Sequence, residues 1–120
     1  MRALASQGEV LDVPAGQPIF RSGETGDCMF GVLEGSVELS WNEENGQEII
    51  QAGDVFGAGA LVTSEHRRYG DAKALTDCRV LVMNREKFLF AVQESPMFAI
   101  ELLASIDQRL RELKDCTKPS

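Results

Sequence analysis

Histidine, tryptophan and tyrosine each occur once in this chain, and acidic residues outnumber basic ones nineteen to twelve. Each shortage removes a class of function. A net charge of −7 opposes broad electrostatic attachment to phosphate backbones or anionic lipid, so neither nucleic acid nor membrane is an expected partner. His66 alone cannot supply the several imidazoles of a histidine-rich metal site, and its polar neighbours predict a solvent-exposed ring. Cys28, Cys78 and Cys116 are odd in number and lack paired metal spacing, so no metal or other cofactor is expected. No Ser-His-Asp or Cys-His order points to nucleophilic catalysis; the chain reads as a non-enzyme with no catalytic residues. Apolar runs of only a few residues cannot cross a bilayer, and no basic-plus-apolar start marks a secretion signal. A reduced, cytoplasmic protein is the expectation.

What remains is a chain of 120 residues, 43% of them hydrophobic, enough for one domain with an ordinary core. That domain is read over residues 1–120, with 1–8 and 115–120 expected to be flexible. Short β-like runs recur at Val10 to Val13, Ile19-Phe20, Met29 to Leu33, Val37 to Trp41, Glu48 to Gln51, Ala72 to Leu75 and Arg79 to Met83. Turn sequences separate them, because Pro fixes φ and Gly accepts positive φ. The polar break Asn42-Glu43-Glu44-Asn45-Gly46 predicts a hairpin, and Trp41 before it is expected to be half-buried. Cys28 and Cys78 read as small core residues, while Glu24 and Asp27 read as turn caps.

At Asn84 the period changes. Asn84 can cap a helix starting at Arg85, with Phe88, Leu89 and Val92 on one face. Ser95-Pro96 ends it and starts another, predicted from Pro96 to about Lys114, because Ser caps and Pro suits the first helical position. Ala99, Leu103, Ile106, Leu110 and Leu113 would form one apolar seam along this second helix. Two uses of the seam stand side by side: packing on the domain's own strands, or a homodimer contact.

Between Val13 and Leu39 the chain reads VPAGQPIFRSGETGDCMFGVLEGSVEL. This stretch resembles the front half of the cyclic-nucleotide-binding domain family, the sensor domain of Crp/Fnr-like regulators, and the likeness continues to about residue 113. The resemblance implies a mainly β fold with α: an antiparallel β-roll of the jelly-roll type followed by two C-terminal helices. It also implies a ligand cassette, F-G-E-[LIM]-A-L, then a loop, then an arginine followed by small residues. In that cassette a helix N-terminus and the arginine hold a cyclic phosphate, and the glutamate accepts from the ribose 2′-OH.

Here the cassette falls on Phe56 to Ala74, and its candidate ligand-binding residues are Gly57, Ala58, Gly59, Ala60, Arg67, Arg68 and Tyr69. Gly57, Ala60 and Leu61 match. Counting back from Lys73-Ala74 puts Arg68 on the phosphate arginine, although the loop is about one residue longer than the commonest form, which makes Arg67 a second candidate. Ala58 stands where the resemblance implies the ribose glutamate, and losing a charged acceptor costs on the order of 1.5–3 kcal/mol, roughly 10- to 100-fold in affinity. Glu65 or a water is one replacement. Gly59 loosens the short helix, and Asp71 brings negative charge towards the phosphate position. For Arg68 the plain alternative is a solvated loop arginine paired with Glu65 or Asp71.

By this resemblance the chain is a regulatory or sensor module that binds cAMP or cGMP weakly. The alternative is a degenerate domain that binds no cyclic nucleotide and serves protein interaction. The chain stops about seven residues after Leu113, so an attached DNA-binding domain is not expected. Regulation would then pass through a protein partner, with Leu103, Ile106, Leu110 and Leu113 as the partner or dimer face.

Overall fold

The computed structural model describes residues 9–41, 46–58, 68 and 70–117, the last three as helix backbone only. Among the described residues, eight strands precede two helices: β1 (Glu9–Val13), β2 (Pro18–Phe20), β3 (Cys28–Glu34), β4 (Ser36–Trp41), β5 (Gly46–Gln51), β6 (Val55–Phe56), β7 (Asp71–Ala74), β8 (Cys78–Asn84), α1 (Arg85–Glu94) and α2 (Pro96–Thr117). The strands form two four-stranded sheets, ordered β1-β8-β3-β6 and β2-β7-β4-β5, with antiparallel pairing throughout. This is the expected β-roll with two C-terminal helices.

Side-chain alternation explains the layering. Along β3 and β8, Phe30, Val32, Cys78 and Val80 point into the roll and meet Val37, Ile50, Ala72 and Ala74 of the other sheet. Their neighbours Met29, Leu81 and Met83 point the opposite way, onto Ala91 of α1 and Phe98 of α2. The first sheet is therefore covered on both faces, which is why β3 reads as a nearly unbroken apolar run, Cys-Met-Phe-Gly-Val-Leu. β6 divides itself in the same way: Phe56 enters the roll and Val55 faces the helices.

Asn84 is the cap the sequence predicts, its side-chain oxygen accepting from the Lys87 backbone N–H at 2.8 Å. The Ser95 N–H closes α1 onto the Ala91 carbonyl at 2.9 Å, and Pro96 opens α2 across a 113° bend. Phe88 and Val92 pack inward as expected. Leu89 does not: it is 54% exposed, because Ala91, not Leu89, completes the inward face. Trp41 is half-buried, as expected, and pairs with Gly46 across the β4–β5 ladder. Strand ends fall within two residues of expectation, and α2 extends to Thr117. The hairpin tip at 42–45 and residues 1–8 lie outside the described residues. No single helix among the described residues is long and apolar enough to cross a membrane.

Candidate functional site

Arg68 is buried, with 6% of its surface exposed. Its backbone is clamped to the turn between β2 and β3: its N–H donates to the Glu24 carbonyl at 2.8 Å, and its carbonyl accepts from Gly23 at 2.9 Å. The guanidinium turns into the roll. Nη1 donates to the Gly57 carbonyl and Nη2 to the Cys28 carbonyl, both at 2.8 Å, with a longer contact to the Cys28 Sγ at 3.6 Å. It lies 4.5 Å from the Phe20 ring centre and 5.3 Å from that of Phe30. Two carbonyl dipoles and two ring faces thus replace water around a buried cation. None of them carries a negative charge, and among the described residues no carboxylate pairs with Arg68.

Two glycines make the space. A Cβ on Gly26 would lie 2.5 Å from the Arg68 Nε and Nη2, and one on Gly57 would lie 2.9 Å from Nη1. Gly57 also has φ +76°, a conformation that penalises any side chain. Gly57→Val is therefore expected to cost about 1–3 kcal/mol in stability from the backbone alone and to push the guanidinium off its carbonyl. Chemical denaturation beside wild type measures the first effect, and a loss under about 0.5 kcal/mol would contradict the described backbone.

The solvated-loop alternative for Arg68 is corrected by its burial. Asp71 does not pair with it: the Asp71 carboxylate accepts from the Ser22 N–H at 2.7 Å and is exposed. Glu24 does cap its turn, accepting from the Arg21 N–H at 2.6 Å. Of the candidate site residues, Gly57 and Arg68 come together and Ala58 packs on the helix side of β6, whereas Gly59, Ala60, Arg67 and Tyr69 lie outside the described residues, as do Leu61, Glu65 and His66. Cys78 is a core residue. Cys28 is only half-buried; burial pushes its thiol up, although the Arg68 guanidinium pulls the other way.

A second guanidinium, only partly buried, lies on the other side of β6. Arg109 of α2 holds Glu48 of β5 through Nε–Oε2 at 2.8 Å and Nη2–Oε1 at 3.2 Å, and its Nη1 donates to the Val55 carbonyl. The two side chains are 18% and 14% exposed. Nearby, the Ser105 hydroxyl donates to the Asp54 carboxylate at 2.9 Å. Between α2 and β6 these contacts frame a cavity of about 270 Å³, lined by Glu48, Arg109, Val55, Phe56, Gly57, Ala58 and the α2 residues Ile106, Leu110 and Leu113.

The single seam read along α2 is thereby divided. Ile106 and Leu113 are half-buried on the cavity side, while Leu103 is 63% exposed and, with Ile100 at 56%, faces outward. Leu110 does both, lining the cavity while 49% exposed. Sequence reading missed Glu48 and Arg109, which stand 61 positions apart. A charged residue on the inward face of an amphipathic helix was the one available signal.

The cyclic nucleotide-binding domain family matches residues 10–95. The cyclic AMP receptor protein of Thermus thermophilus is 34% identical over 103 residues, 82% of this chain and 47% of that protein. A cAMP-activated global regulator of Mycobacterium tuberculosis is 27% identical, over 91% of this chain and 50% of its own length. The chain thus spans about half the length of the curated relatives it matches. Among solved structures, one from work on a cyclic-GMP-dependent signalling pathway in bacterial phytopathogenesis superposes with a TM-score of 0.78 at 29% identity, covering 90% of this chain and 89% of that one.

Proposed function

This chain belongs to the cyclic nucleotide-binding domain family, and from that premise we propose that it is a regulatory module taking the phosphate of cAMP or cGMP onto Arg68. The observation that carries this reading is the buried Arg68 guanidinium, held among the described residues by neutral carbonyls, two rings and the Cys28 sulfur, with no carboxylate paired to it. A desolvated cation of this kind gains more from an incoming anion than an exposed one does. Ala58 puts a methyl group on the cavity wall, which argues for weak binding. Because β6 also carries the Arg109 contact, ligand at Arg68 would bias the seating of α2 and so the surface offered to a protein partner. We read the module as regulatory and not catalytic, and as cytoplasmic, in keeping with the free thiols of Cys28 and Cys78.

A second reading has its own observation. The outward stripe Ile100, Leu103 and Leu110 on α2 suits a homodimer or partner contact, and would serve a protein-interaction module that binds no nucleotide. Calorimetric titration with cAMP and cGMP, with Arg68→Ala beside wild type, separates the two. Micromolar binding that Arg68→Ala abolishes is the expected outcome. No heat with folded protein at millimolar nucleotide would exclude the sensor reading and favour the interaction module.

A further inference from the structure

We infer that the outer face of the second sheet holds a site for a small α-amino-acid zwitterion, separate from Arg68. Alternation along β4 and β7 builds it. Val37, Leu39, Ala72 and Ala74 pack into the roll, so Glu38, Ser40, Asp71 and Lys73 point outward. The ladder sets Glu38 opposite Lys73 and Ser40 opposite Asp71. On the other side of β7, β2 ends at Phe20, which pairs with Ala72, and this brings Arg21 to the same rim. Together these polar side chains line a groove of about 180 Å³, with Pro18, Phe20 and Ala72 completing its wall. Neither Arg68 nor Gly57 lines it.

Two observations point to a ligand. Ser40 is only 9% exposed, and its hydroxyl has no hydrogen-bond partner among the described residues; its oxygen is not sealed off, so it opens to the groove it lines. A hydroxyl held so deep without a protein partner is one that a bound molecule can complete. The second observation is the charge pattern. Carboxylate and ammonium groups directly opposite across a ladder ordinarily pair, yet Glu38, Lys73 and Arg21 enter no ion pair among the described residues. Asp71 is fixed in place by accepting from the Ser22 N–H. A simple anion drawn to Arg21 and Lys73 would meet Glu38 and Asp71, and a simple cation would meet the reverse repulsion. A molecule bearing both charges on neighbouring atoms avoids both conflicts. Its carboxylate is assigned to Arg21 and Lys73, its ammonium to Glu38, and the Ser40 hydroxyl meets it from below. The volume, about 180 Å³, lies under the range of drug-sized pockets and suits a small amino acid, not a nucleotide.

Glycine, L-alanine and L-serine titrated into the isotope-labelled protein, followed by amide NMR, test the assignment, with acetate and methylammonium as single-charge controls at matched pH and ionic strength. At least one of the three amino acids is expected to give saturable shifts at Arg21, at Glu38 to Ser40 and at Asp71 to Lys73, and the controls none. Glu38→Gln and Lys73→Gln, changes on the sheet surface that should leave the core amides in place, are each expected to weaken that binding about 10- to 100-fold. Acetate or methylammonium shifting the same amides as strongly would make the groove a single-charge site and overturn the inference. Shifts that survive both substitutions place the binding elsewhere and overturn it as well. A folded protein whose groove amides ignore all three amino acids overturns it outright and leaves a solvated sheet face, whatever nucleotide does at Arg68.

Discussion

Phe56→Ala is expected to lower the free energy of unfolding by about 3–5 kcal/mol, a large part of the roughly 5–15 kcal/mol a domain possesses. Phe56 is 2% exposed and stacks on Phe30 with ring centres 5.1 Å apart, with Phe20 at 6.1 Å. Truncation would leave a void between two sheets whose other members are anchored by their own ladders, so collapse is only partial. The same rings form the surface against which Arg68 rests, so the loss reaches the site as well as the core. Urea denaturation is the measurement. A drop below about 1 kcal/mol with an unchanged m-value would contradict the described packing, whereas Phe56→Leu should recover much of the loss.

The second large effect is expected at Arg109. Arg109→Ala would leave the Glu48 carboxylate, 14% exposed, without its partner and would free the Val55 carbonyl. Breaking a buried pair from one side costs about 3–5 kcal/mol, and the residual exposure places this case at the lower end of that range. Replacing both members, as Glu48→Leu with Arg109→Met, should cost far less, since the desolvation penalty goes with the charges. Hydrogen exchange would localise the change: amides of α2 near residues 102–113 should lose protection in Arg109→Ala while β3 and β8 keep theirs. Protection lost evenly across the roll would mean that the pair supports the whole domain and not the seating of α2.

Turn chemistry and helix punctuation were legible in the sequence because they are local. Asn84 and Ser95-Pro96 mark helix ends by their own hydrogen bonds and dihedrals, and the β4–β5 hairpin is announced by its polar tip. β6 was not legible as a strand: with two residues it shows no period. The division of the α2 seam was hidden for a different reason. Helical spacing tells which residues share a face, but not that Leu103 looks to solvent while Ile106 looks to the cavity. Arg68 illustrates a signal that was present and read too narrowly. Its polar neighbours His66, Arg67 and Tyr69 suggest a solvated loop, whereas its burial depends on the space left by Gly26 and Gly57. The Glu48–Arg109 pair joins distant segments, and no local pattern encodes such a partnership.

Because neighbouring residues of β3 and β8 belong to different cores, these strands cannot change length by a single residue. A one-residue deletion in β3 would carry Met29 into the place of Phe30 and Phe30 onto the helices, exchanging the two rows along the remaining strand. A strand with one wet face would lose half as much from the same slip. Variation in chain length among proteins built on this plan should therefore collect in the connections, at the β4–β5 tip and between β6 and β7, and should spare the central strands that separate the core of the roll from the core beneath the helices.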